Sequence, residues 1–342
     1  MHRVRATWGQ AIGSLAMASS VMIQTSCAPP GEPDVSAIVA PFLCSPCGGV
    51  AIAVVRDGRV LLKKGFGPAD IERHTAVGPH TVFDLASLAK QFTGVALLML
   101  AQRGRLSIHD EARTYLPEVP TFDPRTPIRI SHLSQHMSGL PEFPPDASGT
   151  TDAARFAWLS RLETLDFPTG SKWEYRNANY YLLARIVERV SGKTLRSFLE
   201  EEVFARSGMV DAQVLDKPDS VIRNRATGYC FGKPCRQDSG VTGPGGVFAS
   251  LDDMIAWDAA LSASTLVPLD ALLDAMKPAG YGLGWRLVTL NGRRAMEHDG
   301  DAIGTRTYIA RYLDPRLTII ILSNQTRTDV DGLQARLSRL FF

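Results

Sequence analysis

Thr81-Val-Phe-Asp-Leu-Ala-Ser87-Leu-Ala-Lys90-Gln-Phe-Thr-Gly-Val-Ala-Leu-Leu-Met-Leu-Ala-Gln-Arg-Gly104 sets a serine and a lysine, three residues apart, at the start of an otherwise apolar run. The run has the length and composition of a buried helix, and Asp84 stands where it can cap the start. Ser87 then falls in the first turn, where free backbone N–H groups and the helix dipole favour developing negative charge. Lys90 follows on the same face. An ammonium among Leu88, Val95, Leu97 and Leu98 is costly unless it is paired or has a task. Desolvation lowers a lysine pKa, so Lys90 can take or share the serine proton. A snorkelling lysine near a helix start is the bland alternative.

Outward from this helix, the two ends of the chain read as strands. Gly48–Gly67 holds two apolar runs joined at Asp57-Gly58, a hairpin signal. Near the other end, 281–290, 293–298, 305–313 and 317–324 are strand-like, punctuated by Asn291-Gly292 and Asp314-Pro315. Leu333, Leu337, Leu340 and Phe341 follow at helical spacing, so an amphipathic helix is expected at the end. Between these ends lie the helical stretches 152–165, 178–192 and 194–208, with Gly192 and Gly208 as stop signals. The expected fold is α/β (α+β): one antiparallel sheet built from both chain ends, flanked by helices, with an inserted mainly helical lobe. Residues 28–342 are read as one catalytic domain, its α/β lobe at about 45–107 and 245–342 and its helical lobe at about 108–244.

Composition excludes several classes. With 342 residues, 45% apolar and 21% charged, the chain is neither disordered nor collagen-like, and a formal charge of +2 without like-charge runs gives no reason to expect nucleic acid. Residues 1–27 read as a secretory signal: a basic start, a short apolar stretch, then a segment rich in small residues and proline. The chain is therefore expected to be exported, to the periplasm or as a lipoprotein attached to the membrane through Cys27. Thr25 and Ser26 suit lipidation; Gln24 does not. Cys44/Cys47 and Cys230/Cys235 form two local pairs that suggest short-loop disulfides in an exported chain, with a four-cysteine zinc site or a redox CxxC as the competing readings.

Two further elements join the serine and lysine. Tyr175-Arg176-Asn177 opens the helix at 178–192, and His298-Asp299-Gly300 is read as lying between two strands. SxxK, YxN and HxG each occur once, in this order. With 87–117, 130–141, 175–192, 243–261 and 281–285, they make the chain resemble the serine β-lactamase-related proteins of the class C type. That group includes class C β-lactamases, D-alanyl-D-alanine carboxypeptidases, D-aminopeptidases and family VIII esterases. The resemblance implies a serine hydrolase without cofactor or metal. Ser87 would attack a carbonyl to form an acyl-enzyme, and Lys90 and Tyr175 would handle the proton. Tyr175 would act as base only if Lys90 and a basic His298 held its phenolate down. Asn177, His298, Gly300 and Asp301 would bind substrate, with the backbone N–H groups of Ser87 and Asp301 as the oxyanion hole.

The class A set of SDN and KTG is absent. Glu297, Asp299 and Asp301 would repel a substrate carboxylate if they faced the cleft, although strand alternation points some away and Arg306 is a candidate to compensate. An esterase, amidase or D-amino-acid peptidase is therefore preferred, acting on a small ester, amide or D-amino-acyl substrate. A β-lactamase or carboxypeptidase acting on a β-lactam or cell-wall peptide, and a non-catalytic sensor or scaffold, are the alternatives. His132 and His136 are read as structural. Ser191-Gly192-Lys193-Thr194 ends a helix and is not a phosphate loop, and Gly245-Gly246 marks a tight turn.

Overall fold

The computed structural model describes residues 34–43, 48–144, 152–236, 241–277 and 279–342. The expected signal segment, Cys27 and the Cys44/Cys47 pair lie outside the described residues. From Asp34 onward the chain forms one compact unit.

Its centre is an antiparallel sheet. Strands β1 (Val50–Arg56) and β2 (Arg59–Phe66) come from one end of the chain. From the other end come β3 (Tyr281–Gly282), β4 (Trp285–Leu290), β5 (Arg293–Ala302), β6 (Thr305–Leu313) and β7 (Arg316–Ser323). The order is β3-β4-β5-β6-β7-β1-β2, so β1 pairs with β7 and joins the two chain ends, Val50 opposite Ser323.

Because helices cover both faces, β1 and β7 are buried on both, which explains continuous apolar runs in place of alternation. Ala51, Ala53, Met296, Ile309, Ile320 and Leu322 face one core. It includes α1 (Ala89–Gln102), α2 (Asn177–Ser191) and α3 (Leu251–Ser262). The residues between them, Val50, Ile52, Val54, Ala295, Ala310, Ile319 and Ile321, face a second core closed by α4 (Val330–Phe341). Period-two alternation thus assigns these strand residues to one layer or the other. In α4, Val330, Leu333, Leu337 and Phe341 form the buried stripe; Leu340, expected on it, is 46% exposed because it falls one position off the i, i+4 row.

Two more local expectations shift. The stretch 152–165 is helical only over Asp152–Leu159. Glu297–Gly300, expected between strands, lies inside β5, because pairing with β6 continues through Asp301↔Arg306 and Ala302↔Thr305 before the chain turns at Ile303-Gly304. Cys230 and Cys235 are joined as a disulfide, so that pair is unavailable to a zinc ion. Among the described residues, no helix is long and apolar enough to cross a membrane.

Candidate active site

Ser87 lies in a short 3-10 turn, Ala86–Leu88, that runs directly into α1. The Asp84 carboxylate accepts from the Ala86 N–H at 2.9 Å, so it braces the turn and does not cap the α-helix itself. Ala86 holds a left-handed φ of 47°, a conformation that costs a residue with a Cβ about 1 kcal/mol or more. The sheet sustains it. Thr305 and Thr307 of β6 donate their hydroxyls to the carbonyls of Asp84 and Leu85, both at 2.9 Å. β5 approaches the same turn so closely that a Cβ on Gly300 would meet Thr307 Oγ1 at 2.1 Å and Leu85 O at 2.6 Å. Gly300 is therefore required for the fit of strand to turn, a role made by close approach.

Lys90 projects from the first turn of α1 and is fully buried. Its Nζ lies 3.0 Å from Ser87 Oγ, 2.9 Å from Asn177 Oδ1 and 2.8 Å from the Pro244 carbonyl. Burial, opposed by Glu142 and Asp299 and aided by Arg286, brings its pKa down to about 7. Asn177 Oδ1 and Pro244 O can only accept. A neutral amine has two N–H groups for those two acceptors, and its lone pair then points at the Ser87 hydroxyl. Pro244 belongs to the glycine-flanked turn 243–246, so that turn shapes the site as well as the backbone path.

Tyr175 approaches from the entrance of α2 and donates its hydroxyl to Ser87 Oγ at 2.8 Å. Burial pushes its pKa well above the ordinary tyrosine value, so it rests as a phenol. The Lys90 Nζ stands 4.8 Å from its ring. Behind it, His136 packs at 4.3 Å between ring centroids, with its carbonyl accepting from Glu174 N and its Nδ1 from Arg176 N. Thus His136, read from sequence as structural, braces both sides of Tyr175.

His298 is also fully buried. Its Nδ1 faces the Asp299 carbonyl at 2.5 Å and so carries the proton, which leaves Nε2 to accept from the Tyr281 hydroxyl at 2.9 Å. Desolvation, with Arg286 and Lys90 adding to it, holds the imidazole neutral. The condition set for Tyr175 as base, a basic His298, is therefore not met, and both nitrogens of His298 are occupied within the protein.

Met296, His298 and Gly300 share the face of β5 toward α1, which puts Glu297, Asp299 and Asp301 on the face toward α4. Tyr308, in the α4-side core, feels the Glu297 charge. Arg286 bonds Glu297 at 3.1 Å and Asp299 at 2.8 Å, while Arg306 bonds Asp301 at 2.5 Å. Arg306 thus pairs with one acid and Arg286 is shared by two. Arg286 was legible in principle: a two-residue turn at Asn291-Gly292 pairs Leu290 with Arg293, and the register then sets Arg286 opposite Glu297. Tyr281, Glu142 and the Pro244 carbonyl carried no comparable local signal.

The same pairing logic orients Asp301. Next to the two-residue turn, Ala302 and Thr305 form the hydrogen-bonded pair, so the Asp301 N–H is directed away from β6. On that side the β4 pairing ends at Arg286 opposite Glu297, and among the described residues no strand pairs with β5 beyond it, where Gly300 lies against the turn that carries Ser87. Among the described residues, no group of acids, histidines and cysteines is arranged to hold a metal ion.

The sequence model of the Beta-lactamase family matches residues 44–341. The chain is 29% identical over 317 residues to a D-aminopeptidase of Gluconobacter oxydans (strain 621H), covering 86% of this chain and 58% of that protein. It is 30% identical over 300 residues to a D-aminopeptidase of Brucella anthropi, covering 81% of this chain and 56% of the relative. The chain thus spans less than three fifths of the length of the curated relatives it matches. Its fold is similar to an octameric penicillin-binding protein homologue from Pyrococcus abyssi, with a TM-score of 0.79, 21% identity and coverage of 90% of this chain and 76% of that one. It is also similar to a β-lactamase/D-alanine carboxypeptidase from Yersinia pestis, with a TM-score of 0.72, 23% identity and coverage of 89% and 98%. With a family match that takes in the sheet, all three motifs and the helices between them, the chain belongs to the Beta-lactamase family, within the serine β-lactamase-related superfamily of serine hydrolases.

Proposed function

We propose that this protein acylates Ser87 and hydrolyses small amides or esters, with D-amino-acyl compounds as the substrate class. The observation that carries the reading is the set of partners around Lys90. Two acceptor-only oxygens take its two N–H groups, so the free amine turns its lone pair to Ser87 Oγ. As Oγ attacks the acyl carbon, Lys90 takes its proton. Tyr175, hydrogen-bonded to the same oxygen, supplies a proton to the departing nitrogen or oxygen. The N–H groups of Ser87 and Asp301 meet the oxyanion at this edge of β5. Water then enters in place of the leaving group, and the same residues act in the reverse sense.

The charge distribution supports a substrate without a carboxylate at this edge. Arg286 is engaged by two acids and His298 is neutral, so neither is a free cation for a penicillin or a C-terminal D-alanine. The names of the curated relatives favour the same class. Export, with attachment through Cys27 as a variant, rests on the N-terminal residues alone, and the N-terminus of the mature protein tests it.

The deciding experiment gives wild type and Ser87→Ala four substrates: D-alanine p-nitroanilide, a p-nitrophenyl short-chain ester, a chromogenic cephalosporin and a D-alanyl-D-alanine peptide. Expected is turnover of the anilide and ester by wild type only, with kcat/KM lowered by about three orders of magnitude or more in the variant. Equal turnover by both proteins overturns the assignment of Ser87. Fast cephalosporin or D-alanyl-D-alanine cleavage without anilide cleavage replaces the substrate class, and stable acylation without turnover indicates a sensor.

A further inference from the structure

Glu142 lies outside all three motifs, just after the segment 130–141. Its Oε2 accepts from the Asn177 N–H at 2.6 Å, and its Oε1 from Ala178 N at 3.3 Å and from Phe143 N at 2.8 Å. Asn177 and Ala178 are the first two residues of α2, whose own N-cap, Arg176, makes no side-chain cap. Glu142 therefore closes the helix N-terminus from another segment, 35 residues earlier in the chain. The residue it holds is the one that meets the lysine: Asn177 Oδ1 accepts from Lys90 Nζ at 2.9 Å.

We propose that Glu142 is a positioning residue of the acylation machinery, fixing the Asn177 backbone so that its side chain aims Lys90 at Ser87, and placing one uncompensated negative charge beside that lysine. The proposal rests on the reading that Ser87 and Lys90 carry acylation. Among the ionisable groups that act on Lys90, Glu142 stands apart, because the others are ion-paired or neutral. Asp299 is bonded to Arg286; Tyr175 and Tyr180 are held as phenols, and His136 and His298 as neutral imidazoles, by burial. Glu142 itself has no ion-pair partner among the described residues, and it leads the influences that oppose the burial of the Lys90 charge.

The two parts separate by substitution. Glu142→Gln keeps an oxygen for the Asn177 N–H, gives up the acceptor that faces Ala178 N and Phe143 N, and removes the charge, whereas Glu142→Asp keeps the charge and shortens the reach. Fluorophosphonate labelling of Ser87, followed by intact mass against pH, reads the free-base form of Lys90 without assuming a natural substrate. A negative charge favours the ammonium, so its removal lowers the pH at which Lys90 deprotonates. For Glu142→Gln the acid limb of the labelling rate is expected about half a unit or more lower, with the plateau rate within a few-fold of wild type. For Glu142→Asp the limb is expected to stay in place while the plateau falls about tenfold. Circular dichroism at the assay temperature confirms that each variant is folded.

An unmoved limb in the Gln variant overturns the charge role, and a wild-type plateau in the Asp variant overturns the positioning role. If wild type labels at another residue, or not at all, the assignment of Ser87 fails first, and the result is distinguishable from failure of the proposal about Glu142.

Discussion

Lys90→Met is expected to stabilise the fold while abolishing activity. The magnitude follows from burial. The Lys90 pKa falls from 10.5 to about 7 on folding. At ~1.36 kcal/mol per unit, the folded state holds the ammonium about 5 kcal/mol less favourably than the unfolded chain does. A folded pKa below the unfolded one contributes stability above pH 10.5, and that contribution is lost as pH falls toward 7. At pH 7 nearly the whole cost is therefore present. Methionine fills a similar volume without charge, but it leaves Asn177 Oδ1 and Pro244 O without their donor, at a cost of about 1 to 2 kcal/mol each. The balance is a gain of about 2 kcal/mol at pH 7.

Urea unfolding of both proteins at pH 7 and pH 9.5 measures this directly. The variant is expected to be the more stable at pH 7, and the difference to shrink or reverse at pH 9.5, where wild type regains most of its lost stability. Acylation of Ser87 in the variant is expected to fall by about 10³ or more. A variant several kcal/mol less stable at both pH values would show that Lys90 is a comfortably paired ammonium. The general-base reading would then be refuted.

Three further substitutions test other parts of the site. Tyr175→Phe retains the ring packed on His136 and loses the hydroxyl on Ser87, so kcat is expected to drop about 10²- to 10⁴-fold with KM within a few-fold; an unchanged kcat removes Tyr175 from the proton path. Gly300→Ala places a Cβ against Thr307 Oγ1 and the Leu85 carbonyl, and is expected to cost about 1 to 3 kcal/mol in thermal unfolding and to displace Ser87; a fully active, equally stable variant contradicts the close approach. Arg286→Met strips the buried Glu297 of its partner, at an expected cost of about 3 to 5 kcal/mol by urea unfolding. Because Arg286 lowers the Lys90 pKa, its loss is also expected to move the acid limb of kcat/KM to higher pH, opposite to Glu142→Gln.

The parts of this fold that local patterns encode were legible. The apolar runs at 50–55 and 317–322 announce strands, and Asp57-Gly58 and Asn291-Gly292 announce the β1–β2 and β4–β5 hairpins. Ser87 and Lys90 could be paired because they are one turn apart, and Tyr175 and Asn177 because they open a helix. What stayed hidden depends on approach between distant segments. No periodicity says that Glu142 reaches the N–H of Asn177, that Pro244 turns its carbonyl to Lys90, or that Tyr281 meets His298. Whether His298 could help hold a Tyr175 phenolate was hidden for a related reason: it depends on the packing on its face of the strand, and full burial beside Arg286 and Lys90 keeps the imidazole neutral.

The same packing explains why the nucleophile works from a strained turn and a lysine that folding disfavours. Both features cost stability, and neither would persist on an isolated helix. Ala86 keeps its left-handed backbone because Thr305 and Thr307 hold the carbonyls of Asp84 and Leu85, and because Gly300 lets β5 come close enough for them to do so. Lys90 stays desolvated because α1 lies under the sheet, with Asn177 from the start of α2 and Pro244 from the turn 243–246 brought in to accept its hydrogen bonds. The serine is thus located by the sheet, and its base is oriented by the helices. Chemistry at Ser87 requires the two to be held in register, which is the work of Gly300 on one side and, on our reading, of Glu142 on the other.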